Sequence, residues 1–293
     1  MIDGHTKLVG LIGWPVEHSL SPAMHNAAFD VLGLNWRYVP LPVPPGQVEA
    51  AVRGLAALGF RGANVTVPHK QAVMPALDNI APDTVEFGAV NTIVVERRED
   101  GTAVLSGHNT DVQGFIGELR QRGFEPEGKS AVVVGAGGSA RAIVFGLQSA
   151  GIGEIAVLNR TLERAQALVS SLGDEEEVLR ALPLASETLV ESARAADLLI
   201  HTTTVGMWPR VDGSVWPNGV PIPSHLTVFD LVYNPLETRL LQQARQSNAH
   251  AIDGLGMLVR QGAMAFDMWT NQGFAMEEIV GPMRAACKRA MQQ

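Results

Sequence analysis

Short apolar runs alternate with amphipathic stretches from one end of the chain to the other. The runs have the length of buried strands, and the stretches between them carry apolar residues at helical spacing. This alternation predicts an α/β protein in which most of the strands are parallel. The predicted strands are Leu8–Gly13, Trp36–Leu41, Gly62–Val67, Thr92–Glu96, Ser130–Gly135, Ile155–Asn159, Leu198–Thr202 and Val228–Leu231.

A helix is predicted immediately after Thr110, where the chain passes from one domain to the next. Its apolar residues recur at i, i+3, i+4 and i+7, from Val112 to Leu119, and Gly123 ends it. A polar loop, Glu125–Lys129, then leads into the next strand. We expect the first domain to end before this helix and the second to begin at or within it. A further helix is predicted after about Ile252.

Composition narrows the class of protein. The 293 residues are 46% hydrophobic and 18% charged, which excludes a disordered chain and fits two domains. The formal net charge of −8 argues against binding to nucleic acid. Cys287 is the single cysteine, so no intramolecular disulfide forms, and we expect an inert thiol. No secretory signal and no apolar run of membrane-spanning length occur, which predicts a cytoplasmic protein without a membrane partner.

Negative findings limit the chemistry further. The eight histidines and the single cysteine show no metal-binding spacing, so no metal is expected. The acidic segment Asp174–Glu177 is predicted to be a solvated loop.

A glycine-rich turn is the strongest local signal. The β-branched strand Val132–Val134 runs into Gly135, Gly137 and Ala140, which have G-x-G-x-x-A spacing, and a helical stretch follows. The first glycine permits a tight turn, the second lets the backbone approach a pyrophosphate, and the third small residue lets helix and strand pack closely. The free N–H groups of the helix N-terminus then face the phosphates. This context predicts dinucleotide binding rather than an ordinary turn.

The end of the next strand bears on the choice of cofactor. An NAD site usually has an acidic residue there to bind the ribose hydroxyls, whereas this strand ends in Asn159, Arg160 and Thr161, with Arg164 one turn further on. Two guanidinium groups suit a 2′-phosphate, which favours NADP over NAD. The alternative is a pair of surface arginines at the start of a helix.

Two serines precede a helix near the N-terminus. Ser21 comes before Pro22, so the simplest interpretation of Ser21 is a helix N-cap. Ser19 lies two residues earlier in extended chain, where its hydroxyl points the same way as that of Ser21. Together they are candidates to bind a carboxylate or hydroxyls of a small polar ligand.

A lysine and an aspartate are candidates for acid–base chemistry. In GANVTVPHK, Asn64 and Thr66 form a polar face opposite Ala63, Val65 and Val67, and Pro68 is predicted to begin a helix with Lys70 in its first turn. A cation in that position is disfavoured unless it is solvated or has an anionic partner. Asp111 begins the helix at the domain boundary, where it is either an N-cap or a group that faces a substrate cleft.

The C-terminal helix contains one polar residue on an apolar stripe. Met257, Gln261, Met264 and Met268 fall on one face, and Gln261 must find a polar partner in the core or on a ligand. The methionines are interpreted as packing residues.

Several segments together resemble one family. They are HSLSPAMHNAAF, GANVTVPHK, GAVNTIV, GHNTDVQGF, GAGGSARA, NRTLERA, FDLVYNPLETRLL and DGLGMLVRQGAMAF, and they occur in the order typical of the shikimate dehydrogenase family. The resemblance covers nearly the whole chain, and NVTVPHK with GHNTDVQGF is its most specific part. Trp14 departs from the pattern, since a small polar residue is common there after Gly13.

The resemblance implies reversible NADPH-dependent reduction of 3-dehydroshikimate to shikimate, in aromatic amino-acid biosynthesis. It implies that Lys70 and Asp111 are the catalytic pair. The substrate would be bound by Ser19, Ser21, Asn64, Thr66, Lys70, Asn91, Asp111, Tyr233 and Gln261. The NADP cofactor would be bound by Gly135, Ala136, Gly137, Gly138, Ser139, Ala140, Asn159, Arg160, Thr161, Arg164, Thr203, Val205, Met207, Val232 and Gly254.

The resemblance also implies a discontinuous arrangement. Residues 1–110 and 253–293 would form the substrate-binding (catalytic) domain, and residues 111–252 an inserted Rossmann-type NADP-binding domain. Three alternatives remain: a quinate/shikimate dehydrogenase that uses NAD, a folate-linked dehydrogenase of related architecture, and a non-catalytic dinucleotide-binding sensor. The arginines after the strand argue against the first, the serine pair against the second, and the presence of Lys70 and Asp111 against the third. Monomer and homodimer are both compatible with the sequence.

Overall fold

A computed structural model describes residues 2–173 and 178–292, so the acidic segment 174–177 lies outside the described residues. The strands are β1 (Lys7–Gly13), β2 (Trp36–Pro42), β3 (Gly62–Val65), β4 (Asn79–Ile80), β5 (Thr92–Arg97), β6 (Ala103–His108), β7 (Ser130–Val134), β8 (Glu154–Asn159), β9 (Leu179–Pro183), β10 (Leu198–His201), β11 (Thr227–Asp230) and β12 (His250–Ile252). The helices are α1 (Ser21–Val31), α2 (Val48–Ala57), α3 (Pro82–Phe87), α4 (Asp111–Gln121), α5 (Gly138–Ser149), α6 (Leu162–Ser171), α7 (Ser186–Ala195), α8 (Arg239–Gln246), α9 (Leu255–Thr270) and α10 (Met276–Ala290).

The chain divides into two compact units, Met1–Asp111 with Val259–Gln293, and Val112–Leu258. The first unit contains a six-stranded mixed sheet in the order β2-β1-β3-β5-β6-β4. Strands β1, β2 and β3 are parallel, whereas β5 runs antiparallel to both β3 and β6. The C-terminal part of the chain is tied to this sheet, because the indole N–H of Trp269 donates to the carbonyl of Ile93 over 2.9 Å.

The second unit is a doubly wound parallel sheet. Its strand order, β9-β8-β7-β10-β11-β12, reverses direction between β7 and β10, where such folds bind their ligands. Val133 packs into a core on one face of the sheet, and Val132 and Val134 pack into a core on the other. Burial on both faces explains why β7 is a continuous apolar run in the sequence.

Most predicted elements are confirmed, and the differences have local causes. Four strands were missed, β4, β6, β9 and β12, because each is short or lies in a run broken by polar residues. The β5–β6 hairpin also makes the first sheet less parallel than predicted. Strand β3 ends at Val65, so Val67 is exposed rather than part of an apolar face. Within the described ranges, we find no helix with the length and apolar character needed to cross a bilayer.

Candidate active site

Lys70 and Asp111 form an ion pair in the first unit. The Lys70 Nζ lies 2.5 Å from Asp111 Oδ2, and the two side chains are only 12% and 9% exposed. Little water reaches the pair to screen its charges, so their attraction is stronger than that of a surface pair. The two candidates that the sequence suggested separately are therefore brought into direct contact.

The segment that carries Lys70 is a turn, and the prediction that Pro68 begins a helix is wrong. The Val67–Pro68 peptide is cis, and the His69 N–H donates to the Thr66 carbonyl over 2.9 Å. Residues Thr66 to His69 therefore form a four-residue turn that includes Pro68, and no helix begins there. The Lys70 carbonyl then accepts the Val90 N–H over 2.8 Å, which fixes the turn against the chain that leads into β5.

Asp111 is the first residue of α4, so its interpretation as the N-cap is wrong. Its Oδ1 accepts a hydrogen bond from Asn91 Nδ2 over 2.9 Å, while Oδ2 contacts Lys70. Its backbone N–H donates to Asn109 Oδ1 over 2.8 Å, so the side chain of Asn109 satisfies the first N–H group of the helix. Both carboxylate oxygens are thus directed to site residues rather than to the helix.

Asn91 connects the candidate residues of this unit. It is 2% exposed, and its Nδ2 lies within 3.0 Å of Thr110 Oγ1 and 3.4 Å of Gln261 Oε1, in addition to Asp111. Its Oδ1 accepts the Thr110 N–H over 2.9 Å. These bonds give buried Gln261 a polar partner, which accounts for its place on an apolar stripe. Met268, by contrast, is 36% exposed, so the predicted stripe does not stay buried along its length.

Asn64 extends the network across the sheet. It lies opposite Thr92 in the antiparallel β3–β5 pair, and its Nδ2 lies 3.2 Å from both the Asn91 carbonyl and Thr92 Oγ1. Its Oδ1 accepts a hydrogen bond from the Tyr38 hydroxyl over 2.9 Å. Burial raises the pKa of Tyr38 well above its ordinary value, which keeps the hydroxyl protonated and able to donate.

Ser21 also bonds to the Tyr38 hydroxyl and is buried as the first residue of α1. The N-cap is Leu20, and the Ser21 N–H lies 3.2 Å from Ser19 Oγ. The interpretation of Ser21 as the N-cap is therefore wrong, and the Ser19 hydroxyl accepts the N–H of the first helical residue. Thr66 is half-buried and follows β3, beside the turn that carries Lys70.

His25 packs against the ring of Tyr38. The two rings stack with centroids 4.4 Å apart and planes within 1°. Neither ring nitrogen of His25 has a partner among the described residues, and burial lowers its pKa to about 3, so the ring is neutral and packs as an aromatic group. Tyr38, His25, Thr92, Thr110 and Asn109 were not predicted as site residues.

The glycine-rich turn in the second unit fits the phosphate groups of a dinucleotide. Gly135 has φ +118°, and a Cβ there would collide with Thr202 Oγ1. A Cβ on Gly137 would meet no atom within 4 Å, which leaves open space for a ligand beside the backbone. Helix α5 begins at Gly138 with no side-chain cap and no acidic residue in its first turn, so its N–H groups are available to an anion. Ala136, Gly138 and Ser139 are half-buried around this turn, and Ala140 is fully buried.

Arg160 and Arg164 are both exposed beyond β8. In the described part of the chain, neither guanidinium is in an ion pair. Thr161 is the N-cap of α6 but makes no side-chain capping bond, and its carbonyl accepts the Asn159 side-chain amide over 2.8 Å. Two unpaired cations beside a polar turn are compatible with an anionic ligand group such as a 2′-phosphate.

The remaining predicted cofactor residues lie in the segments that follow β10, β11 and β12. Val205 and Met207 are 40% and 39% exposed, in the loop that follows β10. Val232 is buried in the loop after β11, followed by half-buried Tyr233. Gly254 packs against the Leu231 carbonyl so closely that a Cβ would overlap it.

Comparison with known proteins identifies the family of this chain. Residues 11–93 match the shikimate dehydrogenase substrate binding domain, and residues 118–214 match the family described as shikimate / quinate 5-dehydrogenase. The shikimate dehydrogenase (NADP(+)) of Moorella thermoacetica is 48% identical over 277 residues, which cover 92% of this chain and 90% of that protein. The chain belongs to the shikimate dehydrogenase family.

Solved structures of the family have the same fold. Shikimate 5-dehydrogenase from Thermus thermophilus, in complex with NADP(H) and shikimate, superimposes with a TM-score of 0.82 at 38% identity, covering 96% of this chain and 100% of that one. Quinate dehydrogenase from Corynebacterium glutamicum, in complex with NAD, superimposes with a TM-score of 0.84 at 30% identity, covering 96% and 98%. Because both substrates and both cofactors occur on this fold, specificity has to be argued from the side chains.

Proposed function

We propose that this chain catalyses the reversible NADP-dependent interconversion of 3-dehydroshikimate and shikimate, as a step of aromatic amino-acid biosynthesis. The buried Lys70–Asp111 pair carries the proposal, because it places an ammonium group and a carboxylate in one hydrogen-bonded network with Asn91, Asn64 and Gln261. These groups together offer donors and acceptors suited to a small acid that bears several hydroxyls. The relatives named NADP-dependent shikimate dehydrogenases support the same activity.

The proposed roles divide between the two units. The unit that contains Lys70 and Asp111 binds the substrate through Ser19, Ser21, Asn64, Thr66, Asn91 and Gln261, and Tyr233 is proposed as a further substrate contact. The glycine-rich turn of the second unit holds the pyrophosphate of NADP. Arg160 and Arg164 bind its 2′-phosphate, since nothing among the described residues neutralises them.

The chemistry assigned to this chain is proton transfer and charge stabilisation at the substrate oxygen. When bound, the nicotinamide group supplies or accepts the hydride. The Lys70 ammonium donates to the carbonyl oxygen of 3-dehydroshikimate, stabilises the negative charge that develops there and provides the proton. Asp111 holds Lys70 in place and accepts a hydrogen bond from the neighbouring substrate hydroxyl. Asn91 fixes the orientation of Asp111 through its Nδ2–Oδ1 bond.

A four-way assay tests the activity. Reduction of NADP+ and of NAD+ is followed with shikimate and with quinate as the substrate, using the purified full chain. We expect the highest kcat/KM with the shikimate and NADP+ combination. A preference for quinate with NAD+ would replace the proposal with the NAD-dependent quinate/shikimate dehydrogenase alternative, and no turnover in any combination would leave a binding protein.

The proposal extends to the cellular compartment, the oligomeric state and the partners of the enzyme. A single cysteine and an acidic chain fit the cytoplasm, with a monomer or a homodimer as the working form and no nucleic-acid partner. Because the net charge of −8 repels an anionic substrate and an anionic cofactor, Lys70, Arg160 and Arg164 must attract them locally.

A further inference from the structure

A buried His–Asp pair lies at the ends of two neighbouring strands in the second unit. His201 is the last residue of β10 and Asp230 the last residue of β11, and the two are directly paired in the parallel register. His201 is 1% exposed and Asp230 is not exposed at all, and His201 Nδ1 lies 2.8 Å from Asp230 Oδ1. The mechanism above assigns no role to either residue.

The remaining polar atoms of the pair also have partners. His201 Nε2 lies 2.5 Å from Thr203 Oγ1. Asp230 Oδ1 accepts the Val232 N–H over 3.0 Å, and Oδ2 accepts the Thr238 hydroxyl over 2.6 Å. A carboxylate only accepts, so Nδ1 carries a proton, and in the neutral ring Nε2 accepts from Thr203. A buried network in which every member is satisfied holds its parts in one arrangement.

This network joins two loops that leave the carboxyl edge of the sheet. Thr203 belongs to the loop after β10, and Val232 to the loop after β11. A strand-end network at this edge lies where doubly wound folds bind their ligands. The adenosine end of the proposed cofactor site is built on other elements, namely the turn after β7 and the residues that follow β8.

We propose that His201 and Asp230 are positioning residues that hold these two loops for the nicotinamide half of NADP(H). This inference rests on the proposed function. The pair sets the affinity for the nicotinamide half and leaves the affinity for the adenosine 2′-phosphate half unchanged. A purely structural role would make no such distinction between the two halves of one ligand.

The experiment compares two ligands on the full chain by isothermal titration calorimetry. NADP+ probes the whole site, and 2′,5′-ADP probes only the adenosine half. The variants are His201→Leu, which removes both bonds of the ring, and Thr203→Val, which removes one hydroxyl from a half-buried side chain. The control is Thr227→Val, the same replacement at a buried residue at the opposite end of β11.

We expect both variants to bind NADP+ about fivefold to fiftyfold more weakly, and 2′,5′-ADP within about twofold of wild type, as lost hydrogen bonds of ordinary strength predict. Thr227→Val should bind both ligands normally. Thermal unfolding checks each variant, and if His201→Leu does not fold, Asp230→Asn takes its place, because Thr203 is itself a predicted cofactor contact and cannot decide the question alone.

The two proposals fail in different ways. If the wild-type chain binds NADP+ and the variants lose affinity for both ligands equally, or for neither, the positioning role is overturned and the proposed function stands. If the wild-type chain does not bind NADP+, the proposed function is overturned and the positioning role with it.

Discussion

Removal of the Lys70 ammonium is the most direct test of the site. The Lys70→Met variant keeps an unbranched side chain of similar length and removes only the charged group that lies 2.5 Å from Asp111. The rest of the network, including the Asn91–Asp111 bond, has no reason to rearrange. The substitution therefore separates the chemistry of the cation from the packing of its stem.

Two magnitudes follow from the geometry. Loss of a positioned acid and of charge stabilisation should lower kcat by about 10²- to 10⁴-fold. Folding stability should also fall, because Asp111 is left buried with one neutral donor, Asn91 Nδ2 at 2.9 Å, in place of a cation. Breaking a buried pair costs about 3–5 kcal/mol, and we expect the lower end because both side chains retain slight exposure.

A double variant separates these two effects. Lys70→Met combined with Asp111→Asn removes the uncompensated charge, so the free energy of unfolding should recover while kcat stays low. Steady-state oxidation of shikimate with NADP+ gives kcat and KM, and urea unfolding gives the stability. The KM for shikimate should change little in the single variant, since the other substrate contacts remain.

Two results would refute the reasoning. If Lys70→Met turns over at a rate close to wild type, Lys70 does not take part in the reaction. If the double variant regains turnover together with stability, the loss in the single variant came from misfolding rather than from missing chemistry.

Four further predictions address the rest of the molecule. Arg160→Glu should weaken the binding of NADPH by about tenfold to a hundredfold and that of NADH much less, because a charge-assisted bond to the 2′-phosphate is lost. If a binding titration shows that both affinities fall equally, that contact is excluded. Gly137→Ala should weaken the binding of NADP+ by about tenfold and leave the melting temperature unchanged, because the added methyl group occupies only the space of the ligand. Gly135→Ala should instead lower the melting temperature, because φ at this residue is +118° and the added methyl group would collide with Thr202. Tyr38→Phe should raise the KM for shikimate by about threefold to tenfold with a smaller change in kcat, because Asn64 loses a donor at 2.9 Å; an unchanged KM would show that Asn64 needs no such support. The free energy of unfolding should fall as the pH drops from 6.5 toward 3, by up to about 1.4 kcal/mol per pH unit. The cause is His25, which has a pKa of about 3 in the folded chain and takes up a proton at higher pH in the unfolded chain. Urea unfolding at about pH 6 and pH 5 should show a smaller loss of stability in His25→Phe than in the wild type.

The second unit was the more predictable part of the fold. Strand β7, the glycine-rich turn and α5 follow one another within a short stretch, so local sequence determines both the element types and the phosphate-binding geometry. Strand β9 was missed because it is an edge strand in which only Leu179 is buried. The short edge strand β12 carries no apolar run that pattern analysis could recognise.

The first unit shows what pattern analysis cannot supply. Lys70 was recognised as unusual from its position, but its partner lies 41 residues away and no local rule joins them. Tyr38 belongs to an ordinary amphipathic strand, and only the sheet brings its hydroxyl to Asn64, 26 residues further on. The turn at Pro68 was misassigned because a proline suits both a helix start and a cis-proline turn.

The His201–Asp230 pair carried a signal that was overlooked. Each residue is the polar last residue of a short buried strand, LLIH or TVFD, and directly follows an apolar pair. A histidine or aspartate in that position of a parallel sheet points to the ligand-binding edge. The pairing of β10 with β11, however, becomes visible only in three dimensions.

The hydrogen bond between Asn91 and Gln261 joins residues 170 positions apart, and the bond from Trp269 to Ile93 spans 176. During synthesis, residues 112–258 form a continuous segment that can fold as soon as it leaves the ribosome, whereas the first unit must wait for its last helices. Until α9 and α10 arrive, the aromatic surface around Phe29 and Tyr38, which later packs on Phe266 and Trp269, stays open to solvent. The nascent chain therefore exposes the half that holds Lys70 and Asp111 for longest, and a chain cut short after residue 258 would contain both catalytic candidates in a unit that cannot close its core.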